Sequence, residues 1–245
     1  MKRRLFVASA LSALAGCGPI GTALNGNDGV RRVLSSVEGL DYELFSGPKL
    51  AREYPRSAIA PVFRTNGFST PADAAYRALV ASSFAAYRLV VDGLVDRPLS
   101  LDLRAFARFP QTTQITRHDC VEGWSVIGEW GGVRLGSVVD AARPRRDARF
   151  VVFHCMDVDD SGEHYYESLD VVQAHHPQTL LATSLNGMPL DPDHGAPVRL
   201  RVATQLGYKS AKWVNHIELV GTFAHIAGGR GGYWEDQNYE WYAGI

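Results

Sequence analysis

Arg117-His118-Asp119-Cys120-Val121-Glu122-Gly123-Trp124 closes a run, starting at residue 112, in which polar and β-branched residues alternate. A period of two sends neighbouring side chains to opposite faces of a strand. Residues 112–121 therefore predict a strand that delivers Cys120 at its end. Other short runs read alike. Arg149-Phe150-Val151-Val152-Phe153-His154-Cys155 is the clearest buried strand, and 87–91, 179–185, 198–203 and 211–220 are further candidates. Asp92-Gly93 and Asp96-Arg97-Pro98 punctuate them as turns. Helices are few and short. One is expected over 72–80 with Thr70 as N-cap and Pro71 in the first position, and another over 137–142, ended before Pro144. Many short strands with few helices predict an α+β fold, a strand-rich mixed or partly barrelled sheet in a single domain over 61–245.

The chain of 245 residues is 46% hydrophobic and 21% charged, enough to bury a sizeable core. A formal net charge of -1 supplies no basic field, so nucleic acid is not an expected partner. Residues 1–17 read as a signal peptide: the basic start Met1-Lys2-Arg3-Arg4 precedes an apolar run too short to span a bilayer. Arg3-Arg4-Leu5-Phe6 resembles the twin-arginine export signal. Leu14-Ala15-Gly16-Cys17 resembles a lipobox, in which Cys17 would be lipidated; Ala13-Leu14-Ala15 also fits ordinary cleavage. The expected location is the periplasm, with a tether at Cys17 and an irregular arm over 18–60. Beyond the leader only Cys120 and Cys155 remain, and in an oxidising compartment a disulfide between them is one open reading.

Two later stretches give Cys120 a different meaning. They are Asn186-Gly187-Met188-Pro189-Leu190-Asp191-Pro192-Asp193-His194-Gly195-Ala196-Pro197-Val198-Arg199-Leu200 and Gly207-Tyr208-Lys209-Ser210-Ala211-Lys212-Trp213. Together with the Cys120 segment, in order and with matching spacing, they resemble the sulfite oxidase family of molybdopterin-binding oxidoreductases. The likeness runs from about Phe63 to Ile245. It implies the sulfite oxidase-type fold and a molybdenum–molybdopterin cofactor without an appended nucleotide. By matching position, Cys120 looks like the metal ligand and Asn66 like a residue that holds the pterin. His194 and Arg199 fall at cofactor contacts, and Ser210, Ala211 and Lys212 at the phosphate-binding turn. Cys155 falls where relatives carry a small polar contact, which argues against the disulfide. The chemistry agrees with these types. A soft thiolate suits molybdenum and is held deprotonated by it, while a buried phosphate needs fixed cations and backbone N–H donors.

Cys120-Val121-Glu122-Gly123-Trp124 is similar to the Cys-Val-Glu-Ala-Trp run of the family's sulfoxide-reducing branch, with Gly123 for alanine and His118-Asp119 as a second departure. The arginine-bearing segment that follows the cysteine in sulfite-oxidising members is missing here. Glu122 would repel an anionic substrate; it either donates protons as an oxo group is reduced or orients its own loop. The resemblance therefore implies a periplasmic enzyme performing two-electron oxygen-atom transfer, reducing a small sulfoxide-like oxo substrate. The alternatives are a sulfite dehydrogenase and a non-catalytic cofactor-binding scaffold. No Cys-x-x-Cys-His run attaches haem, so electrons come from a separate haem protein, and the chain is expected to be a monomer. His154 and His175-His176-Pro177 lack the spacing of a closed zinc site. The aromatic tail 228–242 reads as packing on the domain surface.

Overall fold

The computed structural model describes residues 36–37, 39–40, 42–43, 47, 49–65, 67–68 and 70–245. The leader at 1–17 and Asn66 lie outside them. The chain divides into Met1–Phe45 and Ser46–Ile245, and the second unit is described below.

Ten strands follow in chain order: β1 (Leu89–Gly93), β2 (Leu99–Leu101), β3 (Gln111–Asp119), β4 (Ser125–Arg134), β5 (Phe150–Val158), β6 (His164–Asp170), β7 (Thr179–Leu185), β8 (Met188–Pro189), β9 (Arg199–Val202) and β10 (Val214–Val220). They build two open five-stranded sheets. One has the order β2-β1-β10-β5-β6, with β1 parallel to β10 and the other pairs antiparallel. The second runs β3-β4-β7-β8, with β9 also pairing β7, all antiparallel. The α+β, strand-rich expectation holds; the sheets remain open where a partial barrel was one option.

Apolar faces of both sheets meet in one core. Leu89, Val91, Phe153, Ile217 and Leu219 come from the first sheet and Val133, Leu181, Leu200 and Val202 from the second, all fully buried. The pairing of β4 with β7 shifts register between Gly131 and Gly132, where Thr183 of β7 is the extra residue. A Cβ on Gly132 would stand 2.1 Å from the Leu181 carbonyl oxygen, so only glycine fits.

The helices are α1 (Ala74–Ala81), α2 (Leu103–Phe106), α3 (Leu135–Ala142), α4 (Val171–Ala174) and α5 (Tyr233–Asp236). Asp73, not Thr70, caps α1: its carboxylate accepts from the Tyr76 N–H at 2.9 Å. Thr70 instead donates its hydroxyl to Asp193. A carboxylate three residues before an amide reaches it well, so the helix starts after Asp73 and Pro71 stays in the extended lead-in. Asp102 and Asp170 cap α2 and α4 in the same way.

Part of the stretch read as an arm lies along the second sheet. Tyr54 donates its N–H to the Ile115 carbonyl and Ala60 to that of Ile127, while Arg56 pairs with Glu129 at 2.5 Å. Among the described residues no helix is long and apolar enough to cross a membrane.

Replacing Asp73 by Ala should cost about 1 kcal/mol, read as a lower urea midpoint with unchanged slope. Thr70→Ala should leave α1 intact by far-ultraviolet circular dichroism.

Candidate active site

β3 and β4 are joined by the turn at 120–124, which places Cys120 directly after the last ladder residue, Asp119. The Cys120 N–H donates to the Trp124 carbonyl at 2.9 Å and the Gly123 N–H to the Cys120 carbonyl at 3.0 Å. Gly123 has φ +86°, a left-handed conformation that glycine adopts without strain. The Glu122 carboxylate accepts from the Trp124 indole N–H at 3.1 Å, so it orients its own turn. Cys120, Val121, Glu122 and Trp124 line a cleft of about 150 Å³.

Cations line the same cleft. Arg199, at the start of β9, donates to the carbonyls of His194 (3.1 Å) and Ser210 (3.0 Å), and its guanidinium stacks 4.9 Å over Trp130. Burial pulls the guanidinium down to about 10, so it stays charged at neutral pH. Lys212 Nζ donates to the Phe68 carbonyl at 2.7 Å; burial, then the neighbouring Arg199 charge, pushes its ammonium down to about 7. Between them, the Gly207–Lys209 turn leads into Ser210, whose hydroxyl accepts the Val202 N–H at 3.1 Å, and into buried Ala211. A Cβ on Gly195 would lie 2.9 Å from Lys212 Cβ and 3.2 Å from Arg199 Cβ, so the bare backbone lets these two cations approach.

His194 lines the cleft, yet both ring nitrogens face protein acceptors: Nδ1 meets Asp191 at 2.7 Å and Nε2 the Phe63 carbonyl at 3.0 Å. It anchors the segment at Phe63, which also borders the cleft.

Three polar atoms around the cleft have no partner among the described residues: Asp157 Oδ1, His118 Nδ1 and Arg199 Nε. Asp157 is 2% exposed, and burial raises its carboxyl to about 7. His118 is held well below its ordinary value by burial and by the Arg201 and Arg199 charges. Orphaned atoms and cations set against neutral carbonyls are the inner surface of a site for a polar, anionic ligand.

The structure thus gathers Cys120, Glu122, His194, Arg199, Ser210, Ala211 and Lys212 around one cleft. Cys155 is not part of that lining. It sits 3% exposed in the core on β5, a free thiol unjoined to Cys120, its pKa raised well above the ordinary thiol range by burial. Alternation along β5 explains the neighbouring residue that sequence reading passed over: Asp157 shares the Cys155 face but lies two residues nearer the open end. The aromatic tail also needs correction, since Trp234 and Tyr239 border the cleft. Their rings stack at 5.2 Å. α5 is held inward by Glu235, which with Glu167 grips the fully buried Lys209.

Residues 77–224 match the family described as the oxidoreductase molybdopterin binding domain. Over 246 aligned residues the chain is 35% identical to “Putative protein-methionine-sulfoxide reductase subunit YedZ1” of Azospira oryzae, covering 99% of this chain and 86% of that protein. Over 145 residues it is 33% identical to the protein-methionine-sulfoxide reductase catalytic subunit MsrP of Campylobacter jejuni, covering 54% of this chain and 48% of that one. Among solved structures, the sulfane dehydrogenase SoxCD from Paracoccus pantotrophus aligns with a TM-score of 0.50 at 25% identity, over 56% of this chain and 38% of that one.

Asp157 gives the cofactor-free protein a defined pH response. Its folded-state pKa, about 7, lies above the ordinary carboxylate value, so the folded form keeps a proton that the unfolded form releases. Stability is complete below about pH 4, falls as pH rises toward 7, and levels off beyond, a loss on the order of 4 kcal/mol. Asp157→Asn should therefore raise the melting temperature of cofactor-free protein at pH 8, with the gain vanishing near pH 4.

Proposed function

Since the chain belongs to the oxidoreductase molybdopterin-binding family, the sulfite oxidase family, we propose that this oxidoreductase reduces sulfoxides, with methionine sulfoxide as the model substrate. The observation that carries this reading is that the Cys120 turn, Arg199 and Lys212 line one cleft. The balanced reaction takes a sulfoxide, two electrons and two protons to a thioether and water.

The residues fit the cofactor. Cys120 would give molybdenum its protein thiolate, a soft donor. Arg199, Lys212 and the Ser210-Ala211 backbone would hold the pterin phosphate, which the depressed Lys212 ammonium would meet as a charge partner. Asn66 is proposed to hold the pterin and His194 to brace the Phe63 segment beside it. The bound cofactor supplies the two-electron oxygen-atom exchange. Glu122 would deliver protons, a role its exposed side chain supports, while its Trp124 bond keeps the turn in register. The unpaired Asp157 oxygen gives the cleft floor a polar contact that Cys155, one layer behind, does not offer.

We further propose the plain pterin without nucleotide, a separate haem protein as electron donor, and a monomeric chain. The names of both curated relatives speak of a subunit, which fits a chain that works with a partner. Periplasmic residence after twin-arginine export, with a tether at Cys17, follows from the leader's residues and from the need to insert a buried pterin before translocation. Arg64, stacked 5.0 Å over Trp124 beside the cleft, is the one observation favouring sulfite oxidation, because a guanidinium binds oxyanions well.

Protein from a cofactor-competent host should carry one molybdenum per chain, and Cys120→Ser should lose it and the activity with the fold unchanged. Methionine sulfoxide with a reduced viologen dye should turn over faster than sulfite with cytochrome c; the reverse order would assign the sulfite reading, and a metal-free parent the scaffold. Converting Arg3 and Arg4 to Lys should strand active protein in the cytoplasm, as fractionation would show.

A further inference from the structure

Arg201 belongs to none of the motifs singled out above, yet it is the most deeply buried guanidinium described, at 0% exposure. Its Nη1 donates to the Val202 carbonyl at 2.9 Å, and its Nη2 to Thr116 Oγ1 at 3.1 Å and the Arg117 carbonyl at 2.7 Å. Nε has no partner among the described residues. No salt bridge neutralises it there. The Asp119 charge attracts it from a distance, but the Asp119 oxygens are bound by Arg117 and Ser125. Burial lowers the guanidinium to about 9, which leaves it charged at neutral pH.

Such an arrangement is costly. A cation sealed among neutral carbonyls forfeits hydration without Coulombic return, and an apolar side chain of like volume would pack there with less penalty. The position explains what is gained. Arg199 and Arg201 are two residues apart on β9 and share one face, where both stack on Trp130, at 4.9 and 5.5 Å. Arg199 borders the cleft and Arg201 lies one layer behind it. The fork also grips β3 at Thr116 and Arg117, three residues before Cys120.

We propose that Arg201 is a positioning residue for the molybdenum site: it pins the end of β3 that presents Cys120, and its fixed charge behind the cleft raises the reduction potential of the metal held there. The inference rests on the cofactor reading above. A positive charge in a water-poor interior is little screened and favours electrons arriving nearby. Charge and grip are separable, because Lys keeps the first and lacks the planar fork of the second.

Parent, Arg201→Met, Arg201→Gln and Arg201→Lys proteins would be loaded in the same host and their molybdenum counted by elemental analysis. An EPR-monitored redox titration of molybdenum then reads the midpoint. Both neutral variants should reduce less readily by about tenfold in equilibrium constant, 59 mV for one electron. Arg201→Lys should keep the parent midpoint. Neutral variants that load fully and titrate like the parent would overturn the proposal, as would a Lys variant displaced as far as Met. Should the neutral variants fail to load, a normal Lys variant supports the charge requirement, whereas a Lys variant that fails with them reduces Arg201 to its packing geometry. A parent without molybdenum would overturn the cofactor reading itself, a separate outcome.

Discussion

The second sheet is organised by what it takes to bury two guanidiniums against one indole. Trp130 is fully buried on β4, and Arg199 and Arg201 reach it from β9. Neither has a carboxylate to rest on among the described residues, so their terminal N–H groups turn to carbonyls and a hydroxyl, while each Nε has no partner there. Those acceptors come from the elements that shape the cleft: residues 116 and 117 on β3, His194 in the turn before β9, and Ser210 after the Gly207–Lys209 turn. Satisfying the arginines therefore fixes the relative placement of three segments distant in sequence. A sheet held together only by apolar burial would tolerate sliding of those segments by fractions of an ångström, whereas a planar five-donor fork does not.

A second buried charge group fastens the rest of the cleft. Lys209 ends the turn that leads into Ser210, Ala211 and Lys212, and its ammonium is held by Glu167 of β6 and Glu235 of α5. One ammonium cannot balance two desolvated carboxylates; burial and the Glu235 charge raise the Glu167 pKa well above the usual range. The consequence is mechanical. Lys209 ties the Gly207–Lys209 turn to the core strand β6 and to the C-terminal aromatic segment, from which Trp234 and Tyr239 reach the cleft that Lys212 also lines.

Strand pattern was legible because alternation is local: residues 179–185 appear as a strand with the expected bounds, and the run at 112–121 does deliver Cys120 to a turn. The motif residues from His194 to Lys212 came from resemblance to a family, and the structure gathers them around one cleft. What escaped depends on partners far away in sequence. Thr70 gives its hydroxyl to Asp193, 123 residues on, and Asp73 caps α1 in its place. Cys155 and Asp157 differ only in where β5 meets the open end of the sheet, information that no periodicity contains. Arg201 reads as one more charge beside Arg199, and only its acceptors on β3, 84 and 85 residues earlier, reveal it as buried. Tail residues 233–239 looked like surface because nothing near them announces that Glu235 will meet Lys209.

Charge balance also bears on the direction of the reaction. Removing an oxygen atom from a substrate consumes two protons, so a reductive site benefits from groups that hold protons near neutral pH. Around this cleft Asp157 is raised and Lys212 lowered, both to about 7, each chiefly by burial. An anion bound between the cations would lift Lys212 back toward its ordinary value and push Asp157 higher still. On the reading proposed above, loading the cofactor would draw protons into the cleft. Its lining would then be both cationic and protonated, a setting that stabilises added electrons and can give protons to a reduction. Reducing a neutral sulfoxide would draw on both properties.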